Sequence, residues 1–203
     1  MASPRPPGGG LVFVLSGPSG VGKDSVMDCL RREPLALHFC ITATTRAQRR
    51  NEVHGVNHYF VTDEQFQAMI AAGELLEWAR VHEHYYGVPL QEVRRAFAER
   101  RDVFMRIDVQ GAATVRARLP QSVLIFLAPE RLEDLAPRLK ERNTETPEEM
   151  ALRLANARCE MEALPRFDYV VVNRQGCLEE SVARVRAIIL AERARVQPRW
   201  VTL

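Results

Sequence analysis

The stretch Leu11-Val-Phe-Val-Leu-Ser16-Gly17-Pro-Ser-Gly-Val-Gly22-Lys23 decides the fold of this chain. An apolar run breaks into a glycine-rich loop and then an amphipathic stretch, which predicts a strand, a phosphate-binding loop and a helix. Gly17 and Gly22 allow backbone angles that turn successive N–H groups toward an anion, and the helix adds its positive N-terminal end. Lys23 is placed to reach the β- and γ-phosphates of a nucleoside triphosphate.

One residue departs from the usual phosphate-loop pattern. A Ser or Thr is expected after Gly-Lys, because its hydroxyl holds Mg²⁺. Here Asp24 takes that place and Ser25 comes one position later. The flanking strand and helix favour a true nucleotide loop over a fortuitous glycine turn. The predicted residues of the nucleoside triphosphate site are those of the loop and the first helical turn: Gly17, Pro18, Ser19, Gly20, Val21, Gly22, Lys23, Asp24 and Ser25.

The composition fits a soluble enzyme of one α/β domain. The chain has 203 residues, is 46% hydrophobic and carries a formal net charge of +2, which is too small to suggest a nucleic-acid partner. No apolar run approaches a membrane span. The four scattered cysteines are typical of a cytoplasmic protein. Residues 1–10 are rich in Pro and Gly and predict a disordered lead-in to a domain over residues 11–203.

Apolar strands alternate with helical patterns along the rest of the chain. Phe39–Ala43 is predicted as one short strand, and Val103–Asp108 as a strand beside the phosphate loop. Thr62-Asp-Glu-Gln65 has the pattern of a capping box at the start of a helix. A helix is also predicted over Glu130–Arg142. This alternation predicts a parallel sheet with helices on both faces.

A polar segment after the second strand suggests a site for a second phosphate. Arg46 and Arg49 lie three apart in a region without helical periodicity, so both can converge on one anion, which the guanidinium fork suits. Glu77 lies in a mostly apolar stretch, where a carboxylate needs a partner. Tyr86 precedes a glycine and can place a hydroxyl on an oxyanion. A solvated basic loop is the competing interpretation of the arginines.

These motifs, in this order, resemble those of the guanylate kinases over about residues 11 to 196. The resemblance rests on the phosphate loop and on these segments: Thr44-Thr45-Arg46 with Arg49, Glu52-Val53-His54-Gly55, Glu77, Tyr85-Tyr86-Gly87, Asp108-Val109-Gln110-Gly111, Arg138, Arg142, Arg153 and Phe167-Asp168-Tyr169. It implies a P-loop NTPase-type parallel sheet flanked by helices. It also implies an inserted GMP-binding region at about residues 42–90 and a helical lid at about residues 138–156.

The resemblance also implies the reaction, ATP and GMP to ADP and GDP with Mg²⁺, and a role for each site residue. Arg46, Arg49 and Tyr86 would hold the GMP phosphate, and Glu77 would accept hydrogen bonds from guanine. The other GMP-site residues it implies are Thr42, in place of a family serine, Glu52, His58 and Asp108. Its catalytic residues are Lys23, Arg138, Arg142 and Arg153, and Asn173 lies near the ATP adenine.

The implied partners are small molecules. Mg²⁺ would be held mainly by phosphates and water, with Ser25 as a candidate protein ligand. The substrates would be ATP and GMP or dGMP, with no nucleic acid or membrane partner, and the chain would act as a monomer or homodimer.

Four residues depart from the family pattern: Asp24, Arg106 in place of an acid, Val88 in place of a hydroxyl residue, and His58 opposite a phosphate-binding tyrosine. Because the strand of Arg106 should lie beside the phosphate loop, we predict an Asp24–Arg106 ion pair at the floor of the cleft. The KM for GMP is expected to rise between about pH 6 and 8 if His58 binds the phosphate when protonated. Tyr59 should point away from His58 in an extended segment.

Two alternatives remain open on the sequence. At Asp24 and Val88 the chain also resembles the sequences of ribose 1,5-bisphosphate phosphokinase, a relative in the same superfamily. A non-catalytic guanylate-kinase-like module would share the fold, although its phosphate loop would be degraded, and here Gly22 and Lys23 remain.

Overall fold

The computed structural model describes residues 4–81, 83–135 and 147–203, and of residues 147–151 it describes the backbone alone. The strands are β1 Gly9–Gly10, β2 Val12–Ser16, β3 Leu37–Phe39, β4 Thr42–Thr44, β5 His58–Phe60, β6 Leu75–Val81, β7 His84–Pro89, β8 Asp102–Arg106, β9 Val123–Ala128, β10 Tyr169–Val172 and β11 Val201–Thr202. The described helices are α1 Lys23–Leu30, α2 Asp63–Ala71, α3 Leu90–Ala98, α4 Val109–Arg118, α5 Pro147–Met161 and α6 Leu178–Arg193.

A five-stranded parallel sheet forms the centre, in the order β10-β9-β2-β8-β3. The predicted parallel sheet is therefore confirmed. All five residues of β2 are buried, because apolar clusters cover both faces of the sheet. The strand β8 lies directly beside β2, with Leu15 opposite Arg106, as predicted from the sequence. The carboxyl ends of these strands meet at one edge, where open α/β sheets bind ligands.

A second, four-stranded sheet lies within residues 42–90, in the order β5-β4-β7-β6. The prediction of one strand over Phe39–Ala43 is wrong, because β3 and β4 belong to different sheets. The Cys40 N–H still bonds to Phe104 of the central sheet, but the Ile41 N–H donates to the Glu92 carboxylate. The chain changes sheets at that point.

The segment before β2 is ordered from residue 4, which corrects the expected disordered lead-in for residues 4–10. Gly9 and Gly10 pair antiparallel with Val201 and Thr202. Arg5 donates to the carbonyls of Arg100 and Arg101, and it forms an ion pair with Asp102 at 3.2 Å. These long-range contacts hold a segment that its Pro and Gly content alone would leave disordered.

The capping box at Thr62 is confirmed, with Gln65 N–H donating to the Thr62 hydroxyl and the Thr62 N–H to the Gln65 side chain. The helix predicted over Glu130–Arg142 is wrong where it is described, since residues 132–134 form a single 3₁₀ turn. Its remainder, from residue 136, lies outside the described residues. None of the described helices is long and apolar enough to cross a membrane.

Candidate active site

The phosphate loop connects β2 to α1 at the carboxyl edge of the central sheet. Gly17 and Gly22 have φ of +139° and +99°, a region that side chains disfavour. A Cβ at Gly17 would also lie 2.1 Å from the Leu127 carbonyl oxygen. The Lys23 ammonium lies over this loop and donates to the Gly17 and Pro18 carbonyls. The local sequence therefore produces the expected loop, and its glycines are required by backbone angle and close packing.

Asn173, expected near the adenine of ATP, supports the loop from beneath. Its side-chain amide donates to the Val21 carbonyl at 2.7 Å and accepts from the Ser181 hydroxyl at 2.9 Å. It is 5% exposed, and a Cβ at Gly22 would lie 2.6 Å from its nitrogen. These contacts give Asn173 a structural role, and its contact with ATP stays a prediction.

A cavity of about 630 Å³ opens beside the phosphate loop, between the two sheets. It brings together ten of the residues predicted from the sequence: Lys23, Asp24, Thr42, Arg46, Arg49, Glu52, His58, Glu77, Tyr86 and Asp108. Arg106, Asp28 and Arg31 also line it. Ser25, Asn173 and Arg153 do not, and Arg138 and Arg142 lie outside the described residues.

Glu52 holds the arginines of the cavity in place. Its carboxylate accepts hydrogen bonds from both terminal nitrogens of Arg46, at 3.0 and 2.8 Å, and from the backbone N–H of Arg49, at 2.9 Å. The bond to Arg46 is the main reason that the pKa of Glu52 falls to about 2. Tyr86 lines the same wall and, after Glu52, contributes to raising the pKa of Arg46. Glu52 therefore fixes the Arg46 guanidinium on one wall of the cavity beside a phenol, a geometry suited to a phosphate.

His58 is buried beside this cluster and shares a hydrogen bond of 2.7 Å with the Thr42 hydroxyl through Nδ1. Burial, and then the charge of Arg46, lower the pKa of His58. Both effects favour the neutral imidazole, so the change in KM for GMP that was expected between about pH 6 and 8 is moved to lower pH. Tyr59 points the other way and donates to Glu92 at 3.0 Å, as predicted from strand alternation.

Glu77 lies at the far wall of the cavity, on β6, and is 4% exposed. Burial, together with the nearby charge of Asp108, raises its pKa to about 8, although the Val88 N–H hydrogen-bonds to it. A Cβ at Gly111 would lie 2.5 Å from the Glu77 Oε2, so Gly111 makes room for this carboxyl group. The site therefore contains a buried carboxyl group available to a polar ligand.

Asp24 and Arg106 form the predicted ion pair, across the gap between α1 and β8. Asp24 is more exposed than Arg106, and both line the cavity between Lys23 and Asp108. The pair neutralises the carboxylate that replaces the usual hydroxyl residue beside the loop. The two substitutions thus compensate each other in charge.

One contact at the loop was not predicted from the sequence. The Glu160 carboxylate, near the end of α5, accepts the Ser19 N–H at 3.1 Å. Burial raises the pKa of Glu160, while the Ser19 N–H and the charge of Lys23 oppose that rise. Glu160 is seven residues after Arg153, on the same face of the helix. An acid in a polar helix carries no local signal that it reaches a loop 141 positions away.

The profile of the guanylate kinase family matches residues 10–192 of the chain. The chain belongs to the guanylate kinase family. The chain is 47% identical to rice guanylate kinase 2, chloroplastic/mitochondrial, over 98% of its own length and 70% of the rice protein. It is 42% identical to the Bacillus subtilis guanylate kinase, over 94% and 95% of the two chains. The crystal structure of guanylate kinase from Anaplasma phagocytophilum superposes with a TM-score of 0.72, at 28% identity over 93% of this chain and 88% of the other.

The oxygen donors beside the phosphate loop of this guanylate kinase fit Mg²⁺ bound to a nucleotide. Asp24 and Asp108 line the cavity, and Ser25 is exposed on the first turn of α1. Asp108 already accepts the Gly111 N–H at 2.7 Å through one oxygen, which leaves its other oxygen for a water or a metal. Hard oxygen ligands of this kind, together with phosphates and water, are what Mg²⁺ prefers. No group of three metal-ligating side chains occurs among the residues that the structure describes.

Proposed function

We propose that this guanylate kinase transfers the γ-phosphate of ATP to GMP, giving ADP and GDP. The observation that carries the proposal is the cavity beside the phosphate loop, with Arg46, Arg49 and Tyr86 on one wall and the buried Glu77 on another. One wall suits the phosphate of a nucleoside monophosphate and the other suits its base. The acceptor phosphate is already an anion, so the reaction needs positioning and charge neutralisation and no general base.

Glu77 would select guanine. Although burial raises the pKa of Glu77 to about 8, the two adjacent donors of guanine, N1–H and the 2-amino group, would favour its ionised form, because a carboxylate accepts both. Adenine lacks that pair, so AMP would leave a buried acceptor unpaired, which costs more than the loss of one contact. Because dGMP carries the same base and phosphate, it is included as a substrate. Because Val88 replaces a hydroxyl residue and is fully buried, GMP binding is expected to lose one contact and keep its guanine preference.

Lys23 and the loop N–H groups would bind the β- and γ-phosphates of ATP. Mg²⁺ would be held by phosphate oxygens and water, with Asp24, Ser25 and Asp108 beside it. The ion supplies charge neutralisation of the transferred group. Arg153, with Arg138 and Arg142 of the undescribed segment, is proposed to complete that neutralisation from the lid. The expected cytoplasmic location and monomeric or homodimeric state remain part of the proposal.

An assay of ADP formation tests the function directly. The enzyme is supplied with ATP, Mg²⁺ and one acceptor at a time: GMP, dGMP, AMP, UMP or ribose 1,5-bisphosphate. We expect turnover with GMP and dGMP, and far less with the other three. Faster turnover with ribose 1,5-bisphosphate would indicate the sugar-phosphate kinase instead, and no ADP with any acceptor would indicate a binding module.

The variant Glu77→Gln separates base selection from general damage. Glutamine keeps the shape of the side chain but replaces one acceptor with a donor, so kcat/KM for GMP should fall by a factor on the order of 100. The matched control is Glu179→Gln, because Glu179 is exposed on α6 and away from the cavity. An unchanged preference for GMP over AMP in Glu77→Gln would refute the base-reading role.

A further inference from the structure

A buried carboxylate outside the cavity gathers three hydrogen bonds that the reaction does not explain. Glu92, on α3, is 3% exposed. Its Oε2 forms hydrogen bonds with His38 Nε2 at 3.0 Å and with the Ile41 N–H at 2.9 Å. Its Oε1 accepts a hydrogen bond from the Tyr59 hydroxyl at 3.0 Å. Burial alone would raise the pKa of Glu92, but these donors outweigh it and lower the pKa. The carboxylate is therefore ionised and well held.

The three donors come from three different parts of the molecule. His38 lies on β3, the edge strand of the central sheet. Ile41 lies where the chain leaves the central sheet for the second sheet. Tyr59 lies on β5, the edge strand of the second sheet. Glu92 thus links the second sheet to the central sheet. The second sheet carries the cavity wall with Arg46 and Arg49, and the central sheet carries the phosphate loop.

The strand β5 needs such a tether because it is short. It has three residues and pairs with β4 alone within the second sheet. A three-residue edge strand gains few ladder hydrogen bonds and little burial of its own. The Tyr59–Glu92 bond adds a side-chain tie from β5 to α3, beside the pairing with β4 and the packing of Tyr59 on the core of the second sheet.

The other side of β5 faces the cavity. His58 precedes Tyr59, lines the cavity, and bonds to the Thr42 hydroxyl at 2.7 Å. Its ring also packs edge-on against Tyr86, with centroids 6.2 Å apart. A shift of β5 would therefore move His58 and disturb both Thr42 and Tyr86, two residues of the proposed GMP site.

We propose that Glu92 is a positioning residue for the GMP site, acting through Tyr59 and the strand β5. The proposal rests on the proposed function. Glu92 touches neither substrate; it sets the distance between the acceptor-binding wall and the phosphate loop. Its loss should weaken the use of GMP while leaving the ATP site as it is.

The direct test is Tyr59→Phe, which deletes one hydroxyl and keeps the ring. We expect the KM for GMP to rise about three- to tenfold, the range of one hydrogen bond to a buried partner. The KM for ATP should stay within about twofold of the wild-type value. The matched control is Tyr169→Phe, because Tyr169 donates to the Glu192 carboxylate at 2.6 Å, away from the cavity. That control should lower the melting temperature without changing the KM for GMP.

A second variant, Glu92→Gln, tests the carboxylate itself. Glutamine offers one carbonyl oxygen and cannot accept all three donors, so its KM for GMP should rise at least as far as that of Tyr59→Phe. Adding Tyr59→Phe to Glu92→Gln should have little further effect, because both act through one bond. If Glu92→Gln does not fold, Tyr59→Phe decides alone.

The positioning role is overturned if Tyr59→Phe behaves like Tyr169→Phe, with a lower melting temperature and an unchanged KM for GMP. It is also overturned if the KM for ATP rises as much as that for GMP, since the tether would then support the whole fold. Failure of the proposed function is distinguishable, because the wild-type enzyme itself would then form no ADP from GMP.

Discussion

Replacing Glu77 with glutamine should remove a pH dependence of folding that comes from one carboxyl group. Glu77 is 4% exposed, and burial raises its pKa from 4.5 to about 8. Between these two values the carboxyl group is protonated in the folded chain and ionised in the unfolded chain. The folded state then holds the extra proton, so the free energy of unfolding falls as the pH rises. This contribution is complete below pH 4.5 and is lost by about pH 8.

The magnitude follows from the size of the shift. Within this range each pH unit changes the free energy of unfolding by about 1.4 kcal/mol, so the change from pH 5.5 to 7.5 is about 3 kcal/mol. In a chain of this length, 1 kcal/mol corresponds to roughly 2–4 °C in melting temperature, which gives a difference of about 6–12 °C. Glutamine has nearly the same shape and does not titrate, so the variant should lack this component.

The assay is thermal and urea unfolding of both proteins at pH 5.5, 6.5 and 7.5, without nucleotides that would stabilise the folded state. The quantity compared is the difference between wild type and Glu77→Gln at each pH, because other groups titrate equally in both. Glu179→Gln, an exposed change of the same chemistry, controls for the loss of one charge. If the stabilities of wild type and Glu77→Gln fall in parallel with pH, the assigned burial and pKa of Glu77 are wrong.

Three further predictions concern the ATP and GMP sites. Arg106→Met should weaken ATP binding on the order of fivefold, because the Asp24 carboxylate then repels the phosphates. Adding Asp24→Asn should restore the affinity. If it does not, the charge compensation between Asp24 and Arg106 is contradicted. Glu160→Ala should lower the Kd for ATP about two- to tenfold in titrations, because the Glu160 carboxylate would no longer compete with the ATP phosphates for the Ser19 N–H. Weaker binding by this variant would show instead that Glu160 supports the loop. Because burial and then the charge of Arg46 lower the pKa of His58, any change in the KM for GMP that His58 causes should be centred below its ordinary pKa of about 6.5; a change centred above that pH which His58→Asn abolishes would contradict this.

The central sheet and the phosphate loop could be predicted because their signals are local. The buried strand β2, the loop glycines and the start of α1 all lie within consecutive residues, and each has a backbone or charge requirement of its own. The capping box at Thr62 was predicted from the same kind of local pattern. Arg46, Arg49, Glu77 and Tyr86 could be proposed from their residue types and spacing, and the other residues proposed for the site came from the resemblance to the guanylate kinases.

The errors came where distant contacts override local composition. The composition of residues 4–10 predicts disorder, but in the structure Gly9 and Gly10 pair with a strand near the end of the chain. One apparent strand at Phe39–Ala43 is divided because Glu92, from α3, captures the Ile41 N–H. His58 reads as an ordinary histidine until burial and Arg46 lower its pKa.

The amino-acid sequence by itself determined the fold class and the phosphate loop, and together with the family resemblance it indicated ten of the residues that line the cavity. It even indicated that Asp24 and Arg106 would compensate each other, because parallel neighbours can be inferred from strand order. Only the tertiary structure decided which donors three carboxylates meet: Glu52 meets Arg46, Glu160 meets the Ser19 N–H, and Glu92 meets Tyr59. The physical reason is that a buried carboxylate such as Glu92 is stable only with its donors, and for Glu160 and Glu92 the folded chain brings those donors from distant segments.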